Sequence, residues 1–376
     1  MIRVLEVVGR MDRAGQESFL MNIFRARNKE KYDISFSVNT YHIGAYEEEI
    51  VASGGAVYHN PYSADIKKLF KYIKSFRKIL RENGPFDAVH CHVWLFGGFI
   101  MWAAKKEKVP IRIMHSHNTA DGYNNSFFRR FYRFTAKKLI DSCSTEKVAC
   151  GRDAYRALFD KECENDNLIL NNSVDISLFD DTVVDSNALK SELGIPLNMT
   201  VFVSVARFCK VKNHRKIINI FNEYHKKNKN SVLLLVGDGE LKSQILSQVK
   251  ELGIEDAVIF MGVRSDVNKI LFCSDVFLMP SEFEGLPVSL VEAQAAGVPC
   301  VISESITDEI DMGLSLIKKA DINADDRHWV TIIEEALIQD KPEFILRKEK
   351  LFEHGYTVES TWRKLDLIYD KKNSNN

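Results

Sequence analysis

Two carboxylates, Glu284 and Glu292, lie eight residues apart in a segment whose pattern suits a ligand site. A short apolar run, Val276–Met279, precedes the segment and predicts a buried strand. A glycine turn follows, and Pro287 is suited to the first turn of a helix. Ligands of open α/β sheets bind beyond the carboxyl ends of the strands, where helix N-termini attract anions. Both carboxylates are therefore expected to accept hydrogen bonds from sugar or ribose hydroxyls, the alternative being two solvated surface glutamates.

The segment also resembles a known motif. Its pattern Glu-Gly-Leu-Pro-x4-Glu-Ala-x-Ala-x-Gly-x-Pro, which begins at Glu284, resembles the Glu-x7-Glu motif of retaining GT-B glycosyltransferases. The resemblance is closest to family 4 (group 1), of the bacterial capsular and exopolysaccharide type. It implies that Glu292 binds the ribose hydroxyls of the donor nucleotide and that Glu284 lies by the donor sugar. The residues between them that would also line the donor site are Gly285, Leu286 and Pro287.

Two cations follow the strand predicted at residues 201–205, on a loop that resembles the family's Gly-Arg-x4-Lys-Asn loop. The resemblance implies that Arg207 and Lys212 grip the donor diphosphate. Arginine suits bidentate phosphate contact, and fixed cations stabilise the charge that a departing diphosphate gains. Ala206 stands where the family usually has glycine, which narrows the loop's conformations but keeps the cations. The alternative is a pair of ordinary surface cations.

Three further segments resemble the family's donor and acceptor loops. Gly237 belongs to a Gly-x-Gly turn after a predicted strand, which a plain strand–helix connection would also explain. The backbone around Val263 and Arg264 would contact the nucleotide base. Gly15 lies in a loop similar to the family's Gly-Gly-x-Glu, with Ala14 in place of the first glycine, and would approach the donor phosphates or the acceptor. Glu17 in that loop could instead cap a helix.

Two histidines, His115 and His117, lie at and just after the end of the strand predicted at residues 111–115. The family commonly has a histidine here that touches the donor sugar near its reacting carbon. His117 fits the family's His-Asp pair better and is preferred, but His115 stays open. His90 and His92 share one face of a predicted strand, and the family has such a pair without a metal. No Asp-x-Asp stands in a plausible metal context, so no metal is expected, and Arg207, Lys212 and a helix dipole would replace it.

Two segments of the N-terminal half are strongly basic. From Ile66 to Arg81, apolar residues at helical spacing form one stripe and seven Lys/Arg residues form the other face. From Phe127 to Arg133, aromatic and cationic residues are mixed. These helices could be packed on a core with a solvated outer face, or they could rest on anionic lipid, and the second interpretation is favoured. The members of the stripe are Ile66, Leu69, Phe70, Ile73, Phe76 and Leu80.

The elements that must position these residues form two series of alternating strand and helix patterns, which predict two doubly wound domains. The predicted fold class is therefore α/β of the GT-B type, with two Rossmann-like domains facing each other across a cleft. The predicted division is an N-terminal acceptor domain at 1–180, a linker at 181–198, a donor domain at 199–353, and, at 354–376, a C-terminal helix that returns to the N-terminal domain and ends in a frayed tail. The strands are expected at residues 4–9, 34–38, 56–58, 88–92, 111–115, 147–149, 168–170, 201–205, 232–236, 258–261, 276–279 and 299–302.

Composition narrows the class of protein further. The net charge of −1 gives no drive toward nucleic acid, and the seven cysteines have no C-x-x-C spacing and are expected buried and reduced. The sequence shows neither a signal-peptide pattern nor an apolar run of membrane-spanning length, so we expect a cytoplasmic protein, with association to the inner face of the cell membrane through the two basic segments as a further expectation.

The expected activity is transfer of a sugar from a nucleotide-sugar, UDP-linked, to a hydroxyl acceptor such as a polyprenyl-diphosphate-linked saccharide, with retention and with no further cofactor. A sugar-nucleotide epimerase and a non-catalytic nucleotide-binding partner are the alternatives. The glycine spacing excludes a dinucleotide oxidoreductase, because residues 9 and 15 do not supply Gly-x-Gly-x-x-Gly.

Overall fold

The computed structural model describes residues 1–13, 15–118, 126–182 and 185–371. Its strands are short and mostly buried, as expected for parallel sheets covered on both faces. The strands are β1 Ile2–Val8, β2 Tyr32–Val38, β3 Val57–His59, β4 Ala88–Cys91, β5 Ile111–Ser116, β6 Glu146–Ala149, β7 Thr200–Val205, β8 Ser231–Val236, β9 Val258–Gly262, β10 Val276–Met279, β11 Cys300–Ser303 and β12 Ile317–Ala320.

Helices connect nearly all of these strands, and several carry the amphipathic pattern of a surface helix. They are α1 Gly15–Arg25, α2 Glu47–Ala52, α3 Leu69–Asn83, α4 Gly97–Lys106, α5 Phe127–Cys143, α6 Arg152–Phe159, α7 Ser186–Glu192, α8 His214–Lys227, α9 Lys242–Glu251, α10 Val267–Phe272, α11 Val288–Ala296, α12 Asp326–Leu337, α13 Phe344–Glu353 and α14 Val358–Tyr369.

The chain forms two compact units, unit 1 with residues 1–173 and 358–376 and unit 2 with residues 174–357. Unit 2 therefore includes residues 174–180, where Val174 pairs with Thr357 in a parallel bridge. Helix α14 belongs to unit 1, where the Trp362 indole donates a hydrogen bond to the Ile23 carbonyl. No helix in the described part of the chain is long and apolar enough to span a bilayer.

The two sheets share one topology. Unit 1 has the order β3-β2-β1-β4-β5-β6, and unit 2 has the order β12-β11-β10-β7-β8-β9, with all pairs parallel. In each sheet the strand order reverses beside the first strand, β1 or β7, and ligands of open α/β sheets bind at this switch point. The predicted α/β class with two Rossmann-like domains is confirmed.

Each sheet is covered on both faces by apolar side chains. In β1, Leu5 and Val7 pack on one side with α3 and α4, whereas Val4 and Val8 pack on the other with α1 and α14. Unit 2 likewise has two core clusters on its sheet. All seven cysteines are buried and free, as expected.

Three sequence predictions need correction. Residues 168–170 do not form a strand, because Asp166–Leu168 is a 3-10 turn capped by Asn165 and only Ile169 makes a bridge. Strand β12 was missed, since its sequence has two lysines and little apolar character. Phe70 and Ile66 do not belong to a buried stripe, because they are 89% and 49% exposed and Ile66 lies in a 3-10 turn before α3. The residues that α3 buries are Tyr72, Phe76, Ile79 and Leu80.

Candidate active site

The predicted donor loop leaves β10 and enters α11 as the sequence pattern requires. Pro287 is the residue before the first helical turn, so the free N–H groups of α11 begin here. Leu286 packs against the core of unit 2 and anchors the loop. Gly285 is exposed, and a Cβ at this position would meet no protein atom, so the space beside it is open to a ligand.

Glu284 binds Lys212 in a close ion pair. The Lys212 Nζ atom donates hydrogen bonds to both carboxylate oxygens of Glu284, each at 2.6 Å. The Glu284 side chain is only 9% exposed and that of Lys212 is 21% exposed. A partly buried ion pair with two hydrogen bonds holds both groups in place. The structure therefore pairs Lys212, which the family resemblance assigns to the donor diphosphate, with Glu284, which it assigns to the donor sugar.

The loop after β7 and the loop after β10 are also joined through their backbones. The Glu282 N–H donates a hydrogen bond to the Val211 carbonyl at 2.8 Å. Lys212 ends a 3-10 turn, and Asn213 in the left-handed region then starts α8. Strands β7 and β10 are neighbours at the switch point of this sheet. Both loops thus meet at the edge where a ligand is expected.

Arg207 lies on the same β7 loop but is placed differently from Lys212. Its side chain is 70% exposed, and its Nη2 atom lies 3.6 Å from a Glu240 carboxylate oxygen. An exposed pair at this distance contributes little to stability, so the guanidinium can turn toward an anion. Lys212 is thus held by its partner Glu284, whereas Arg207 is free to reorient.

Glu292 lies on α11 and is half-buried. Burial raises the pKa of Glu292 from its ordinary value to about 7. A carboxyl group whose pKa is raised by burial is poorly solvated in its charged form. A ligand that donates hydrogen bonds to it would supply that missing stabilisation.

The glycine turn after β8 has a structural task. A Cβ at Gly237, whose φ is +137°, would clash with the Ala206 carbonyl oxygen. Gly239 likewise approaches the backbone of Phe208. The two glycines therefore let the β8 turn pack directly on the loop that carries Arg207.

The predicted base-binding residues lie after β9. Val263 is 57% exposed, whereas the Arg264 guanidinium makes two hydrogen bonds with Asp266, at 2.8 and 2.7 Å. The Arg264 side chain is thus engaged within the protein, and contact of the backbone at Val263 and Arg264 with the nucleotide base stays a prediction.

His214, which sequence reasoning missed, is buried at the start of α8 beside Phe208. Neither of its ring nitrogens has a hydrogen-bond partner in the described part of the protein. Burial and the neighbouring Lys212 lower the pKa of His214 to about 4. His214 directly follows Lys212 and Asn213 of the predicted diphosphate loop, and this position could have marked it as a candidate site residue.

Unit 1 holds the histidine candidates in a connected polar group. His117 Nε2 lies 2.8 Å from His92 Nδ1, and His115 Nδ1 lies 3.1 Å from His90 Nε2. His90 and His92 both face the buried carboxylate of Glu6. Nitrogens of His90, His92 and His115 lie within 4.8 Å of one another, a spacing that could also hold a metal ion. Most of the ring nitrogens in this group are already hydrogen-bonded, either to another ring or to Glu6.

The two candidate histidines differ in exposure. His115 is fully buried, and its Nε2 atom has no partner among the described residues. His117 is half-buried as a whole residue and is thus the more accessible of the two. The exposure favours His117 for a ligand contact.

Gly15 is the first residue of α1 and is exposed. Ala14, which replaces the family's first glycine, lies outside the described residues. Burial and the nearby Asp12 raise the pKa of Glu17 in the first turn of α1. The position of Gly15 at a helix N-terminus suits contact with an anionic ligand.

Comparison with known proteins agrees with this picture. A model of the Glycosyl transferase 4-like domain matches residues 14–168, and a model of Glycosyl transferases group 1 matches residues 185–309. Over 370 residues the chain is 34% identical to EpsF of Bacillus subtilis (strain 168), named as a glycosyltransferase, and the alignment covers 98% of this chain and 96% of that protein. It is 27% identical over 243 residues to the UDP-Gal:alpha-D-GlcNAc-diphosphoundecaprenol alpha-1,3-galactosyltransferase of Escherichia coli. That alignment covers 63% of this chain and 62% of the relative.

The fold has a counterpart among solved structures. Anabaena HepE, crystallised in complex with UDP and glucose, superposes with a TM-score of 0.76 at 16% identity, covering 99% of this chain and 100% of HepE. The two sheets and the paired loops of unit 2 therefore define a GT-B glycosyltransferase. The chain belongs to the glycosyltransferase family of group 1 and 4-like domains that the two models and EpsF represent.

Proposed function

We propose that this glycosyltransferase moves a hexosyl or N-acetylhexosaminyl group from a UDP-sugar to a hydroxyl of a lipid-linked saccharide, with retention of anomeric configuration. The observation that carries the proposal is the Lys212–Glu284 pair beside the N-terminus of α11. The UDP and glucose in HepE and the undecaprenol-linked substrate in the name of the Escherichia coli relative support the choice of donor and acceptor.

The donor would lie along the paired loops of unit 2. Arg207 and Lys212 bind the diphosphate, and Glu292 accepts hydrogen bonds from the ribose hydroxyls. Glu284 holds the donor sugar, while the backbone at Val263 contacts the base. As the sugar–phosphate bond breaks, negative charge builds up on the diphosphate, and the two cations stabilise it.

No metal is needed in this scheme. Metal-dependent transferases use a divalent cation to neutralise the diphosphate, a task that two basic side chains and a helix N-terminus can also perform. Lys212 is well suited to it because Glu284 holds its ammonium group in place before the donor arrives. With retention, the acceptor hydroxyl enters on the face from which the diphosphate leaves. The same two cations therefore lie beside both the leaving diphosphate and the incoming hydroxyl.

The acceptor side would use α3 and α5 of unit 1 at an anionic membrane surface. Large exposed aromatic side chains near lysines and arginines are typical of interfacial helices. Lys67, Lys71 and Lys74 are exposed close to Phe70. The exposed aromatic residues are Phe70 at 89%, Phe127 at 79%, Phe128 at 84%, Phe131 at 65% and Phe134 at 64%.

A groove on the same side of unit 1 supports a lipid-linked acceptor. Its volume is about 480 Å³, and its lining comes from α3, α4 and α5. Phe99, Trp102 and Leu139 are among its apolar lining residues, and Lys74, Arg77 and Arg81 also line it. An apolar groove next to a cation suits the hydrocarbon chain and the phosphate of one lipid.

The test combines binding and turnover. Purified protein is screened with UDP-sugars by thermal shift, since a saturating ligand raises the melting temperature. Stabilising donors are then incubated with a polyprenyl-diphosphate-linked saccharide, and the products are analysed by mass spectrometry and NMR. A glycosylated lipid with retained configuration is expected. Release of an isomerised sugar nucleotide would instead identify an epimerase, and UDP binding without turnover, even by hydrolysis, would identify a binding subunit.

A further inference from the structure

His214 is a buried polar residue at the start of α8, the helix that follows the loop with Arg207 and Lys212. It is 1% exposed, and neither of its ring nitrogens has a hydrogen-bond partner in the described part of the chain. Most buried side-chain nitrogens of native proteins are paired, because an unpaired one loses the hydrogen bonds that it makes with water in the unfolded chain. The ring of His214 therefore needs a partner that the protein chain itself does not supply.

The surroundings of the ring determine what kind of partner it can take. The ring packs against Phe208 with the two centroids 4.5 Å apart, and Phe208 is fixed by main-chain hydrogen bonds to Asp238 and Leu241. Burial and the nearby Lys212 lower the pKa of His214 to about 4, so the ring is neutral at pH 7. A neutral imidazole has one N–H donor and one bare nitrogen. The ring can therefore donate one hydrogen bond to an acceptor.

The N-terminus of α8 also has donors to offer. Asn213, which precedes the helix, makes no side-chain cap, and the main-chain N–H groups of His214 and Arg215 have no partner among the residues that the structure describes. Such N–H groups and the positive end of the helix dipole attract anions. Arg207 and Lys212, on the loop between β7 and α8, add two positive charges. The start of α8 thus combines main-chain donors, a ring donor and cations, a set that suits a phosphate.

We propose that His214 is a further donor-binding residue, whose ring N–H and main-chain N–H hold one phosphate of the donor diphosphate at the N-terminus of α8. This inference rests on the proposed function, because it adds a residue to the diphosphate site that Arg207 and Lys212 form. A phosphate oxygen supplies the acceptor that the ring lacks, and a hydrogen bond to a charged acceptor is stronger than one to a neutral acceptor. The phosphate also carries the negative charge that the helix N-terminus attracts.

The contact requires a small change in the turn before α8, because the ring nitrogens of His214 are closed off from solvent in the ligand-free protein. This turn, Lys210–Lys212, is a 3-10 turn of three residues. Asn213, which follows it, has a φ of 50°, in the left-handed region that is costly for residues other than glycine. A turn held in a costly conformation can change at a modest cost, and the new bond between His214 and the phosphate would offset that cost.

The stability of the ligand-free protein provides the first test. His214→Leu and His214→Phe replace an unpaired polar ring with apolar groups of two sizes, so at least one of them should keep or raise the melting temperature. His225→Phe is the matched control on the same helix, because His225 Nδ1 lies 2.8 Å from the Ser231 hydroxyl oxygen. This control should lower the melting temperature and leave UDP affinity unchanged. Lower melting temperatures in both His214 variants would overturn the inference, since the ring would then already have partners.

Calorimetry provides the second test. A folded His214 variant should bind UDP about tenfold or more weakly, while its affinity for uridine, which has no phosphate, stays that of the wild type. Unchanged UDP affinity, or an equal loss for uridine, would overturn the inference. A crystal structure of the wild type with UDP needs no variant, and it should place a ring nitrogen of His214 within hydrogen-bond distance of a phosphate oxygen. A ring without that contact would also overturn the inference, whereas failure of the wild type to bind UDP would overturn the proposed function.

Discussion

Lys212 Nζ lies 2.6 Å from each carboxylate oxygen of Glu284, so the proposed phosphate cation and the proposed sugar-binding carboxylate neutralise each other before any donor is bound. A diphosphate that enters must therefore share Lys212 with Glu284. This relationship makes the two glutamates of the motif unequal, because Glu284 has a cationic partner and the pKa of Glu292 reflects burial alone.

The first prediction compares the two glutamates. Glu284→Gln should lower kcat about tenfold or more and leave UDP affinity equal or higher, since Lys212 loses its competing partner. Glu292→Gln should weaken UDP binding, with less effect on kcat at saturation, because ribose contacts are made in ground state and transition state alike. Calorimetry with UDP and steady-state kinetics measure both effects.

The control for this comparison is Glu282→Gln. The Glu282 side chain is exposed, and the link to Val211 uses its backbone, so this variant should behave as wild type. If Glu292→Gln bound UDP as tightly as the wild type does, the ribose role and the placement of the donor would be wrong.

The second prediction concerns the diphosphate clamp. Arg207→Ala and Lys212→Ala should each reduce turnover by about 10–150-fold, the effect of losing a charged hydrogen bond of about 1.5–3 kcal/mol. Lys210→Ala is the matched control, because Lys210 lies on the same loop and is exposed. Wild-type turnover in either clamp variant with every active donor would contradict the assignment.

The third prediction is a pH dependence of UDP binding. The pKa of Glu292 is raised to about 7 in the ligand-free protein, so the carboxyl group is protonated below that pH. Ribose hydroxyls that donate to the carboxylate favour its ionised form and lower its pKa. UDP affinity should therefore rise as the pH increases toward 7 and level off above it.

Calorimetry across this range, with Glu292→Gln for comparison, checks the sign. The variant should lose this part of the pH dependence, and an identical profile in both proteins would argue against the assignment. The same pKa shift also predicts how the stability of the protein depends on pH. Because the pKa of Glu292 in the folded state lies above its ordinary value of 4.5, its contribution to stability is present below pH 4.5. That contribution is lost as the pH rises through 7.

The fourth prediction tests the membrane surface. Changing Lys67, Lys71, Lys74 and Lys78 to Glu should abolish binding to vesicles of anionic phospholipid, since each cation near such a surface contributes about 1 kcal/mol. Sedimentation with vesicles measures the binding, and the melting temperature reports the fold. Equal binding by a folded variant would favour a merely solvated helix face. The control changes four exposed lysines of unit 2, Lys226, Lys227, Lys229 and Lys250, to Glu.

The fifth prediction concerns metal ions. Treatment with EDTA followed by desalting should leave turnover largely unchanged, because Arg207, Lys212 and the N-terminus of α11 carry the charge of the diphosphate in the proposed scheme. Turnover rates before and after treatment provide the measurement. Complete loss that Mg²⁺ or Mn²⁺ restores would contradict a metal-free reaction.

The amino-acid sequence determined the parts of this protein that depend on neighbours along the chain. The strand pattern at residues 276–279, the glycine turn and Pro287 specify a strand–loop–helix unit, and β10 and α11 follow it. Continuous apolar runs likewise predicted the other strands. This pattern failed for residues 168–170, where only Ile169 makes an isolated bridge, and for β12, whose lysines conceal a strand that pairs with β11.

Tertiary structure alone decided which distant residues meet. Lys212 and Glu284 are 72 residues apart, and their pairing depends on the adjacency of β7 and β10 at the switch point. Glu6 lies within β1, whereas His92 and His117 directly follow β4 and β5, so no local pattern joins the three. Spacing along a chain encodes local geometry, whereas the order of strands in a sheet arises from packing the whole core, and this order turns separate motifs into a site.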